Sequence, residues 1–248
     1  MKPMHEIIDE IIRVYTLVLP QTFMLAAIGA LIGGIPIAMV TADLGQPPDI
    51  SKMDWSAYGW ALAFQMVVSL LVQGSMLKII AMRVRNGVQL PLAEALHAGV
   101  AMLPTMLLAT LLYLLLACAL TVLLILPGIW MLVAGMFCIT AIALEGCDAT
   151  ASIARSRALV KGRWWPTLGL LLLACVVAML GYLLLTTVIA PLSNALFGGG
   201  WTTEAALQTA LGALFTPLYN ALLVVLFLEY AGSEPGAAPP PPPSEIAA

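Results

Sequence analysis

A chain of 248 residues that is 62% hydrophobic and 9% charged, with a mean hydropathy of +1.02, lacks the polar surface a water-soluble domain needs to cover itself. Its net charge at pH 7 is only −3, which argues against a nucleic-acid partner without pointing to an acidic or basic substrate. Composition leaves a chain solvated by lipid, and a bilayer core about 30 Å thick takes roughly 20 apolar residues per helix.

The chain opens on an amphipathic stretch, Met4 to Leu17. His5, Glu6, Asp9, Glu10 and Arg13 share one face; Met4, Ile7, Ile8, Ile11 and Ile12 lie largely on the other. This spacing predicts a surface helix in the membrane interface. Because the start is acidic and lacks an apolar h-region, no cleavable signal is expected. The first span runs from Pro20 to Val40 and carries Gly29 and Gly33 as a G-x-x-x-G, with Ala26, Ala30 and Gly34 nearby. Such a stripe serves close packing within the bundle or pairing of two chains. The second span, Trp55 to Leu77, holds Gln65 and Gln73, eight positions and about two turns apart.

A weaker surface helix is predicted over Leu92 to Leu103, anchored by Glu94 and His97. The third span, Thr105 to Leu126, ends at Pro127-Gly128-Ile129, which reads as a turn, and the fourth returns from Gly128 to about Glu145. Asp148 is the expected N-cap of a third surface helix that presents Ser152, Arg155, Ser156, Arg157, Lys161 and Arg163. It leads into Trp164-Trp165, and basic residues beside paired tryptophans mark the headgroup zone. The fifth span runs from Trp164 to about Ala190, Gly198-Gly199-Gly200-Trp201 forms an external loop, and the sixth runs from Ala205 to about Phe227 with Asn220 in its latter half. Past Glu229, Gly232, Pro235 and Gly236 lead into Pro239 to Pro243, a tail of polyproline II character that serves as a spacer or a docking motif.

The expected fold is therefore all-α: six transmembrane helices and three interfacial amphipathic helices over residues 1–230, then a disordered Pro-rich tail over 231–248. Nine of the ten basic residues precede the first span or fall in the second and fourth connections, and only Lys52 lies opposite. The positive-inside rule then puts both termini in the cytoplasm. One unit also recurs. Leu19-Pro20-Gln21-Thr22, Leu103-Pro104-Thr105 and Trp165-Pro166-Thr167 each follow a helix-like segment and open a span, which suggests three repeats of surface helix, kink, outward span and return span.

No nucleophile-and-base set, H-E-x-x-H or P-loop stands in the chain, so no catalytic, cofactor or metal residues are assigned. His5 and His97 fall on the predicted surface helices, where solvent exposure explains them better than metal ligation. Cys118, Cys138, Cys147 and Cys175 form no C-x-x-C pair and read as small packing residues. A proton-coupled carrier normally keeps ionisable groups inside its spans. Here Lys78, Glu145 and Glu229 all stand at span ends. Two sets remain. Gln65, Gln73 and Asn220 either bond between helices or line a polar cavity. Arg155, Arg157, Lys161 and Arg163 either fix topology or bind lipid headgroups or an acidic partner.

Leu126-Pro127-Gly128-Ile129-Trp130, then Glu145, then Ala154-Arg155-Ser156 and Leu159-Val160-Lys161-Gly162-Arg163-Trp164 stand in order. In these residues the chain resembles the YciC-type family of uncharacterised bacterial inner-membrane proteins. It is also similar to the membrane domain that precedes some glycerophosphodiester phosphodiesterases, although the catalytic domain of those enzymes is not expected within these 248 residues. The resemblance implies an inner-membrane location and six spans, and brings no catalytic residues. The expected role is structural or accessory, in envelope maintenance, with membrane lipids and a membrane protein as partners. A transporter or channel for an uncharged or amphipathic solute or lipid is the alternative, and a lipid-modifying enzyme comes third.

Overall fold

The structure, a computed structural model, describes residues 4–41, 51, 53–123, 125–184, 187–188, 191–192 and 201–233. Among these residues helix is the only regular secondary structure. The helices are α1 (Met4–Thr41), α2 (Trp55–Asn86), α3 (Leu92–Leu123), α4 (Ile125–Ala134), α5 (Cys138–Glu145), α6 (Ala149–Val160), α7 (Trp164–Leu184) and α8 (Trp201–Gly232). Six helices are long and apolar enough to cross a membrane, and they follow the expected six spans in order. The Pro-rich tail and the Gly198–Gly200 loop lie outside the described residues.

Local chemistry sets the ends of α2. The Asp54 carboxylate accepts hydrogen bonds from the backbone N–H of Ser56 at 2.9 Å and of Ala57 at 3.1 Å, and the Ser56 hydroxyl at 2.7 Å. These three donors hold its carboxyl below its ordinary range, the Ser56 hydroxyl first. At the other end Gly87 turns left-handed at φ 65° and its N–H returns to the Arg83 carbonyl.

α8 is the centre of the bundle. Every residue from Ala221 to Phe227 is buried, as expected of a helix that is apolar all round. It packs against α1, α2, α5, α6 and α7. α7 is peripheral: only Thr167 and Leu170 are buried, while Leu172, Val176, Met179, Leu180 and Leu183 face outward.

Several expectations are corrected. Met4 to Leu17 is not a separate surface helix but the start of α1, which runs unbroken through Pro20 and Pro36. At a rise of 1.5 Å per residue its 38 residues extend about 57 Å, well beyond a bilayer core. Ile7, Ile11, Val14 and Val18 are buried in the main core, at spacings of four, three and four. Burying each side chain contributes about 1.5–3 kcal/mol, so together they outweigh the roughly 3 kcal/mol cost of a proline inside a helix. Leu92 to Leu103 is likewise continuous with the third span, with Pro104 inside α3. Only the third surface segment is a helix of its own, α6.

Pro127-Gly128 is not the turn. Both lie within α4, and a Cβ on Gly128 would collide with the side chain of Thr121 and come within 2.9 Å of its Cα. Glycine is required there by the close approach of α3. The G-x-x-x-G of α1 packs within the bundle, since a Cβ on Gly29 would strike Val72 and one on Gly33 would strike Gln65 of α2. Of the cysteines only Cys138 is buried; Cys118 and Cys175 are exposed on the outer surface and Cys147 is partly covered.

Candidate functional site

The fourth apolar stretch, expected as one helix, is interrupted at Gly135-Met136-Phe137. Beyond the interruption the Met136 N–H bonds the Val133 carbonyl at 3.4 Å and the Cys138 N–H bonds the Gly135 carbonyl at 3.1 Å, both three residues back. The tighter pattern frees the carbonyls of Leu132 and Ala134 and the N–H of Phe137 from regular helical bonding. Buried backbone groups left unpaired are costly, so these three need partners.

Two side chains supply them. The Ser156 hydroxyl on α6 donates to the Ala134 carbonyl at 2.7 Å and accepts from the Phe137 N–H at 3.0 Å. The Tyr113 hydroxyl on α3 donates to the Leu132 carbonyl at 3.0 Å. Gly135 makes room for the Tyr113 ring, which a Cβ would strike. Phe137, fully buried, meets Phe227 and Tyr230 of α8 edge-on at centroid separations of 6.1 and 5.9 Å. The interruption is thus bound to α3, α6 and α8.

Ser152 and Ser156 are buried with Ala149, Leu159 and Val160 on the inner face of α6, not presented to solvent. A stripe of small and apolar residues at positions 149, 152, 156, 159 and 160 carries that signal, which counting serines as polar conceals. Asp148 stands at the N-cap position, yet its side chain makes no capping bond.

The four cations of this region divide by partner. Arg155 forks onto Glu145, with Nε 2.9 Å from Oε2 and Nη2 3.0 Å from Oε1. Arg163 donates to the Tyr230 carbonyl at 3.1 Å and lies 5.0 Å above the Tyr230 ring, satisfying the end of α8. Arg85 plays a similar part for α5, bonding the Leu144 carbonyl at 3.3 Å. Arg157 lies 5.4 Å above the Trp130 indole, and Lys161, at the C-cap of α6, is exposed. Neither of these two has a carboxylate partner among the described residues.

Arg157 and Lys161 border a cleft of about 420 Å³ between α4, α6 and the start of α7, walled by Trp130, Trp164, Ala158 and Gly162. The Trp164 Nε1–H donates to the Trp130 carbonyl at 3.4 Å, and Trp165 packs edge-on against Trp164 at 4.8 Å. A second cleft of about 360 Å³ lies between Pro104 and Leu108 of α3 and Asp148 at the start of α6. Beside it Cys147 donates to the Glu145 carboxylate at 3.7 Å. Burial first, then the Glu145 charge, pushes its thiol up, while Arg155 acts in the opposite sense.

The structure does not bring Gln65, Gln73 and Asn220 into one hydrogen-bonded set. The Gln65 amide donates to Ser69 of its own helix at 3.4 Å, and its buried Oε1 has no partner. Gln73 is half-buried on α2. The Asn220 amide donates to the Thr216 carbonyl at 3.0 Å and to Met76 Sδ on α2 at 3.6 Å, leaving a buried, unpaired Oδ1. His5 and His97 are exposed. Among the described residues no three of His, Cys, Asp and Glu converge as metal ligands would.

The chain belongs to the family described as domain of unknown function DUF7847, whose profile matches residues 16–233. No curated protein and no solved structure matches it.

Proposed function

We propose that this member of a family of unknown function is a multi-pass protein of a bacterial inner membrane with both termini in the cytoplasm. On this reading it is a structural or accessory component of envelope maintenance, without catalytic activity of its own. Six helices of spanning length support the membrane location, and the clustering of nine cations before the first span and in the second and fourth connections supports the orientation. The three-unit reading rests on the recurrence of proline and threonine near the start of the first, third and fifth spans, without a separate surface helix in the first two units. The resemblance to the YciC-type family points to the same location.

One observation carries the accessory role. Transporters use broken membrane helices to present free backbone groups to a solute. Here the carbonyls of Leu132 and Ala134 and the N–H of Phe137 are already taken by Tyr113 and Ser156. The break serves to lock α6 against the bundle, which makes a rigid shelf at the cytoplasmic face. Arg155, Arg157, Lys161 and Arg163 lie on or beside that shelf as contacts for lipid or a membrane protein partner. A transporter or channel for an uncharged or amphipathic solute is the second reading, favoured by the orphaned oxygens of Gln65 and Asn220, which suit buried water.

Native mass spectrometry of the full chain, extracted gently with its surrounding lipid, tests the assignment. Recovery of a stoichiometric partner protein is the expected result. A bare chain holding a specific small solute would overturn the accessory role and favour transport.

A further inference from the structure

We propose that the cleft between Trp130, Trp164, Arg157 and Lys161 is a binding site for the phosphate headgroup of an anionic phospholipid. The proposal rests on the membrane reading above and names the ligand class that this face of α6 takes.

The fold leaves two charges of this region over. Arg85 and Arg163 are taken by carbonyls at the ends of α5 and α8, and Arg155 by Glu145. Arg157 and Lys161 remain, one turn apart on α6. Like charges at that spacing destabilise a helix, and an anion shared between them removes the penalty. Both border the same cleft.

The indole holds one of them beside the cleft. The Arg157 guanidinium carbon lies 5.4 Å from the centre of the Trp130 ring, and its planar N–H donors can fork onto two phosphate oxygens. Lys161 adds a mobile point charge that fits a phosphate without demanding a fixed angle. A carboxylate from the chain would have quenched both, and none of the described carboxylates does so.

The walls decide between a free anion and a lipid. Trp130, Ala134, Val160 and Trp164 give the cleft a mostly apolar lining, which inorganic phosphate cannot use but a glycerol backbone and the first methylenes of an acyl chain can. α7, which starts at the cleft with Trp164, exposes Leu172, Val176 and Met179 as apolar surface that an acyl chain can cover. Trp165, 76% exposed, marks the interfacial level at which such a headgroup sits.

The test uses the full chain purified in detergent and titrated with phosphatidylglycerol or phosphatidylcholine of matched acyl chains, with bound lipid counted by native mass spectrometry. Each basic group near the surface contributes about a fivefold preference for anionic lipid, so the wild type is expected to favour phosphatidylglycerol about 25-fold. Lys161→Gln should lower that preference about fivefold, and Arg157→Gln with Lys161→Gln should abolish it. Thermal unfolding confirms that the variants are folded; should the double variant fail, Lys161→Gln alone, an exposed side chain, carries the test. Equal retention of the two lipids by the wild type, or an undiminished preference in the variants, overturns the proposal. Complete displacement by excess inorganic phosphate would assign the cleft to a free anion and overturn the lipid. A chain without headgroup preference that still co-purifies with a stoichiometric partner loses this inference and keeps the accessory role.

Discussion

Ser156 is one hydroxyl with two tasks: it donates to the Ala134 carbonyl and accepts from the Phe137 N–H, fully buried where the fourth span breaks. Removing it leaves a donor and an acceptor unpaired, each costing about 1–3 kcal/mol. Ser156→Ala should therefore destabilise the protein by about 3 kcal/mol, read as a lowered unfolding midpoint in detergent. Tyr113→Phe keeps the ring over Gly135 and loses only the bond to Leu132, so its cost should be about 1 kcal/mol. Equal effects of the two variants would refute this division of labour. Ser156 was visible in the sequence as part of Ala154-Arg155-Ser156, yet hydropathy assigns a serine to the surface. Only its neighbours across the break give it a buried role. Cys147 shows the same dependence on neighbours. Burial and the Glu145 carboxylate disfavour its thiolate, so its alkylation by maleimide near neutral pH should be slow. Glu145→Gln removes one like charge and releases Arg155, lowering the thiol's pKa and speeding alkylation at fixed pH. An unchanged rate would leave burial as the sole cause.

At the scale of elements, the difference between an interfacial helix and a core helix is decided by what lies against the apolar face. Ile7, Ile8, Ile11 and Ile12 are legible as that face from spacing alone, and the pattern is the same whether lipid or protein covers it. In the structure Ile11 is 5% exposed and Ile12 50% exposed. Ile11→Ala should cost about 2–5 kcal/mol and Ile12→Ala well under half as much, both measured by chemical unfolding in mild detergent. Equal small effects would return Met4 to Leu17 to the interface. The helix breaks show the same division between local and tertiary information. A Pro-Gly pair signals a turn in isolation, but Pro127 and Gly128 lie within α4, where α3 approaches too closely for a side chain at Gly128, and a separate interruption inside the fourth span falls at Gly135 beside Tyr113. Four prolines, Pro20, Pro36, Pro104 and Pro217, remain inside long helices. Packing against neighbours overrides their local preference to end a helix.

Across the whole molecule, basic residues on which the proposed orientation rests also finish its helices. Arg83, Arg85 and Arg163 bond carbonyls at helix ends, where the partial negative charge of the backbone favours a cation. Topogenic charge and structural capping are thus carried by the same side chains, and Arg157 and Lys161 stand apart as the pair with no such task. By itself the sequence determined the all-helical class, the number and order of apolar helices and the segments of the chain in which the cations gather. Each of these depends on composition averaged over some 20 residues, which no single contact can reverse. Tertiary structure alone decided which helix is central, where the fourth span breaks, that Ser156 is buried and which two of four neighbouring cations have no carboxylate or carbonyl partner among the described residues. Those outcomes turn on hydrogen bonds and close approaches between residues distant in the chain, such as Phe137 with Ser156 and Arg163 with Tyr230, and no local pattern encodes them.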